Sequence, residues 1–107
     1  MLNYGNLNKM DERQYYLMKI VEEANEVASA AMKCIQFGND SRDPSNPDSP
    51  TNVGHLMFEI NDLLGARQAA INRGFLGTPL NSHIQIDKKV EKIEKYKQIC
   101  VTLGTVK

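Results

Sequence analysis

The sequence carries no excess charge of either sign: thirteen Lys and Arg balance thirteen Asp and Glu over 107 residues. A domain that holds nucleic acid by neutralising phosphates has a clear basic surplus, so a general nucleic-acid binder is excluded. Long apolar runs are missing too. No stretch approaches the ~20 residues that a membrane-spanning helix needs, and the opening MLNYGNLNKMDER has no apolar core of the kind a secretory signal requires. The expected location is the cytoplasm, with no membrane partner. Only two cysteines occur, Cys34 and Cys100, without CxxC or Cys/His ligand spacing, so two reduced, packed thiols are expected. Proline is scarce outside one segment, which holds Pro44, Pro47 and Pro50 of the four.

What is present is the composition of a soluble globular protein, 41% hydrophobic and 24% charged. The length suits a single domain spanning 1–107. A domain this small buries only ~60–70% of its unfolded-chain surface, so oligomerisation is expected to complete the core. The zero net charge also hides a division. Through Asp62 there are ten acids against five bases, and beyond it three acids against eight bases. An acidic front and a basic back can offer a cation site and an anion site in one fold.

Periodicity predicts helices throughout. From Asp11 to about Phe37 no Gly or Pro interrupts the chain, and Gly38 supplies a stop signal. At 100° per residue, Leu17, Ile20, Ala24, Val27, Ala28, Ala31 and Ile35 share one face, the expected core. Residues 38–54 are rich in Pro, Asn, Asp and Ser and read as a loop, long enough to suggest a role in closing over a substrate. A second helix is expected to start near Ser49 to Asn52 and run to about Asn72. Its apolar face comprises Val53, Leu56, Ile60, Leu63, Leu64, Ala70 and Ile71, and Arg67 in that face suggests an interface. After a connection over 74–79, Asn81 or Ser82 caps a third helix running to about Leu103, with Gly104 as its stop. Nothing reads as a strand. The predicted fold is an all-α bundle of three to four helices.

Two acidic clusters interrupt this pattern. Glu22-Glu23-Ala24-Asn25-Glu26 lies in the middle of the first helix and Glu59-Ile60-Asn61-Asp62 in the middle of the second. Glu23 and Glu26 are three apart, as are Glu59 and Asp62, so each pair projects from one side of its helix. Glu23 and Glu59 border the apolar faces, where side chains point along the seam between packed helices. Four carboxylates converging there would repel one another and require cations or protonation. All-oxygen ligation suits Mg²⁺ or Mn²⁺ better than zinc. A di-iron bundle needs two Glu-x-x-His repeats, and neither His55 nor His83 has a Glu three residues before it. Solvated helix faces give the same spacings, and only convergence separates the two readings.

The order Glu-Glu-x-x-Glu, then Glu-x-x-Asp on the next helix, resembles the signature of the MazG-like all-α nucleoside triphosphate pyrophosphohydrolases, especially the short phage-type members. EEANEVASAAMKCIQFGND, EINDLLGA and the Lys-rich DKKVEKIEKY carry the similarity, which spans roughly residues 12–97. Asn61 and Phe58 stand where the family often has a Gly and an acid; neither is a proposed ligand. The resemblance implies a metal site of Glu23, Glu26, Glu59 and Asp62 with Glu22 adjacent. It implies Mg²⁺-dependent hydrolysis of an NTP or dNTP to monophosphate and pyrophosphate, by a homodimer or homotetramer, in a bacterial or phage-infected host cytoplasm. The alternative is a non-enzymatic helical dimerisation or adaptor module that retains the acidic pattern.

A triphosphate also needs cationic partners. Lys89, Lys92 and Tyr96 fall within about 60° on the third helix and are candidates for substrate contact, although Lys88, Lys95 and Lys97 show that this helix is Lys-rich on all sides. His55, four residues before Glu59, can approach the acidic site. Tyr15, Tyr16 and Phe37 can form either a base-stacking wall or part of the core.

Overall fold

The computed structural model describes residues 9–77 and 82–107, and these are helical with no strand among them. Three helices are present: α1 (Glu12–Phe37), α2 (Asn52–Asn72) and α3 (Ser82–Leu103). The described residues fall into two compact units divided at Gly77. The Asn81 cap and the end of the 74–79 connection lie outside the described residues.

The first unit is an antiparallel hairpin of α1 and α2. Its entry is set by Asp11, whose carboxylate accepts from Gln14 N at 2.8 Å while Gln14 Oε1 accepts from Asp11 N at 2.9 Å, a capping box that satisfies two otherwise unpaired donors. Its exit is Gly38, which takes φ 93° and donates to Cys34 O at 3.0 Å. A side chain strains that backbone. Gly38→Ala is therefore expected to destabilise the fold by about 1–3 kcal/mol, read as a lower urea midpoint with unchanged slope.

The segment between the helices is tightly pinned. Asn52 N donates to Ser41 O at 2.9 Å and Val53 N to Asn39 O at 3.0 Å. The Asn52 amide donates to Gly38 O at 2.9 Å, and Ser41 Oγ to Phe37 O at 2.6 Å. Thr51 caps α2 by accepting from Gly54 N. The loop therefore ends at Thr51, and residues 52–54, which composition assigns to it, are the first turn of α2: capping by Thr51 outweighs the weak helical preference of Asn and Gly. At the other end of the hairpin Arg73 pairs with Glu12, each charge opposing the dipole end it sits on. Tyr16 packs its ring 5.8 Å from that of Phe75.

Only Ala30 and Ala70 are fully buried among the described residues. The expected α1 core face is thus covered in part. Ala24 and Ala28 are exposed, and Ile35 is 78% exposed. The seam lies along Tyr16, Ile20, Glu23, Val27, Ala30 and Cys34, all at least partly buried. One partner helix covers a narrower stripe than the apolar face these sequences carry. On α2 the same holds: Leu56, Leu63 and Ala70 turn inward while Ile60 and Leu64 stay 42% and 51% exposed.

The second unit is α3 alone, with no buried residue. Gly104 at φ 80° ends it, and Thr105 N returns to Cys100 O at 2.9 Å. Both cysteines are free and partly buried. No helix among the described residues is long and apolar enough to cross a membrane.

Candidate metal centre

Antiparallel packing brings the middles of α1 and α2 side by side, which is where both acidic clusters lie. Glu23, Glu59 and Asp62 each place a carboxylate oxygen within 4.8 Å of the others. Glu26, one turn beyond Glu23, is exposed and is not one of the three. Glu22 turns away and pairs with Lys19 at 3.1 Å. A seam can take one side chain per turn from each helix, and position 23 falls on that seam while 22 and 26 flank it.

Among these carboxylates the effect on ionisation falls on Glu23. Burial pushes the Glu23 carboxyl above its usual range, and the charges of Asp62, Glu59, Glu26 and Glu22 push it further in the same direction. A raised pKa in the folded state favours the protonated form. The stability it contributes is fully present below the ordinary glutamate value and is lost as pH rises through the raised one. In EDTA, Glu23→Gln is accordingly expected to melt above the unsubstituted protein, by a margin that grows from acidic to neutral pH. A margin independent of pH would remove Glu23 from the cluster.

Glu59 is the most enclosed of the hydrogen-bonded acids, its side chain 14% exposed. His55 Nε2 lies 2.9 Å from Glu59 Oε1; with the proton on Nε2 it donates to the carboxylate, fixes its rotamer and leaves the other oxygen for a ligand. Spacing alone allowed this approach, and the helix makes it because i and i+4 share a face.

The donor set is compatible with a hard divalent ion. Oxygen-only ligands from two helices, two of them half-buried, and an orienting histidine suit Mg²⁺ or Mn²⁺. A cleft of about 360 Å³ opens beside these carboxylates, between Tyr15, Lys19 and Glu23 of α1 and Asp62, Gly65 and Ala69 of α2. Lys19 Nζ sits 5.4 Å from the Tyr15 ring centre; both Tyr15 and Tyr16 line this cleft, and Tyr16 also packs against Phe75.

A second cleft, of about 680 Å³, lies at the loop end of the hairpin, walled by Lys33, Phe37, Arg42, Pro50, Asn52 and His55. His55 is common to this cleft and to the Glu59 contact. Periodicity could not reveal it, because loop residues carry no period; the one available signal is the pair of cations, Lys33 and Arg42, shortly before the Pro-rich segment. Lys89, Lys92 and Tyr96 belong to the α3 unit, where Lys92 Nζ lies 6.0 Å from the Tyr96 ring centre. No family model, curated protein sequence or solved structure matches the chain.

Proposed function

We propose that the chain is a Mg²⁺- or Mn²⁺-dependent nucleoside triphosphate pyrophosphohydrolase of the MazG-like type, releasing a nucleoside monophosphate and pyrophosphate and working as a homodimer or homotetramer. The observation that carries this reading is the convergence of Glu23, Glu59 and Asp62 from two helices, in the order and spacing of the sequence motif. When bound, a divalent ion supplies charge neutralisation and an activated water. The chain's own part is positional. Glu23, Glu59 and Asp62 are the ligands; Glu26 and Glu22 add negative field around them. His55 holds Glu59 in place. Tyr15 and Lys19 line the adjoining cleft and give it an aromatic face and a cation. Lys89, Lys92 and Tyr96 are the proposed substrate contacts from α3.

The exposed apolar side chains of α1 and α2 favour a second reading, a helical dimerisation or adaptor module. One experiment separates the two. Each of the NTPs and dNTPs is incubated with the protein and Mg²⁺ or Mn²⁺, and pyrophosphate is measured. Release from at least one nucleotide, abolished by EDTA, is the expected result; no release from any of them would leave the adaptor.

A further inference from the structure

We propose that the cleft between the end of α1, the 38–51 loop and the start of α2 binds a nucleoside monophosphate without any divalent ion. Its volume, about 680 Å³, lies in the range of small-molecule sites, and its make-up is theirs: apolar walls with a few converging polar groups. Phe37 is 65% exposed at its edge and, with Pro44 and Pro50, offers flat apolar surface to a planar ring.

The charge in the cleft comes from side chains. The first donors of α2 are already taken, Asn52 N and Val53 N by loop carbonyls and Gly54 N by Thr51 Oγ1, so the helix terminus has little left for an anion. Asp43 is the one acid in the wall. Its carboxylate accepts from Ser45 N at 2.9 Å and Ser45 Oγ at 2.6 Å, which hold it below the usual carboxylate range, and Lys33 lies near enough to lower it further. Lys33 is thus shared with Asp43. Arg42 supplies the surplus. One of its five N–H groups donates to Ser49 O at 2.7 Å, which anchors the guanidinium and leaves the remaining donors for a phosphate. Ser49 Oγ is shielded from solvent and so does not face the open cleft; Ser49 acts through its carbonyl, which holds Arg42. Asn52 donates through its amide nitrogen and keeps its oxygen as an acceptor. Cation, stacking surface and amide acceptor together suit a ring bearing a phosphate better than either part alone.

The choice of a nucleoside among planar anions rests on the hydrolase reading, and the test keeps the two apart. AMP, GMP, CMP, UMP and dTMP are titrated calorimetrically in EDTA, beside the five corresponding nucleosides, ribose 5-phosphate and inorganic phosphate. At least one monophosphate is expected to bind tenfold or more tightly than ribose 5-phosphate or its own nucleoside. Arg42→Gln and Phe37→Ala, checked for unchanged circular dichroism, should each weaken it at least tenfold, whereas Asp62→Asn should not. Ribose 5-phosphate or inorganic phosphate binding as well as every nucleotide would overturn the inference, as would full affinity in Arg42→Gln or no binding at all. Binding in EDTA with no pyrophosphate release from any triphosphate would uphold the cleft and sink the hydrolase; release without such binding would do the reverse.

Discussion

Glu59→Gln is expected to lower pyrophosphate release by roughly a hundredfold or more at saturating Mg²⁺, with the helices intact. Glu59 sits on the seam with its side chain 14% exposed, within reach of both Glu23 and Asp62. The amide keeps the shape and loses the charge that a divalent ion needs. The same substitution should erase the thermal response to metal. An ion at about a hundred times its Kd stabilises the folded chain by ~2.7 kcal/mol, which is roughly 10–20 °C in Tm for a domain this small. Neither Tm nor activity of the variant should respond to added Mn²⁺. His55→Ala, which removes only the group holding the carboxylate, should be milder, weakening metal about tenfold. Activity within tenfold of the unsubstituted protein in Glu59→Gln would mean that Glu59 is not a ligand.

Much of this geometry is readable from the chain. Asp11, Thr51, Gly38 and Gly104 act at helix ends in the structure as their chemistry suggests, because caps are local and need only a few neighbouring residues. The meeting of Glu23 with Glu59 and Asp62 follows from two helices that the intervening loop, residues 38–51, folds back on each other. Less legible is anything that depends on the exact seam. Glu26 has the same spacing to Glu23 as Asp62 has to Glu59, yet it falls outside the cluster. A helical wheel cannot tell which edge of a wide apolar face the neighbour will occupy. Nor can it show that Lys33, Arg42 and His55 share a cleft, since that depends on how residues 38–51 fold back through Asn52 and Ser41.

The same wide faces lead to the second large effect. Leu64→Glu and Ile35→Glu are each expected to break the proposed oligomer and to unfold much of the hairpin at micromolar concentration. Met57, Ile60 and Leu64 lie within about 60° on α2, and Val21, Met32 and Ile35 within about 60° on α1; all six are 42% or more exposed. Because the helices run antiparallel, both stripes emerge on the side of the hairpin turned away from Glu23 and Asp62. They form one apolar surface behind the carboxylates, where a second copy could pack to make a four-helix bundle while leaving the acidic side open. Covering a large aliphatic side chain contributes about 1.5–3 kcal/mol, and a symmetric dimer loses each contact twice. That is a large share of the ~5–15 kcal/mol that holds a domain together, in a hairpin whose fully buried residues are two alanines. Light scattering after size exclusion should give two or four chains for the unsubstituted protein, one for the variants, and a Tm that rises with protein concentration only in the former. A folded monomer at micromolar concentration, indifferent to either substitution, would show that these stripes are covered some other way.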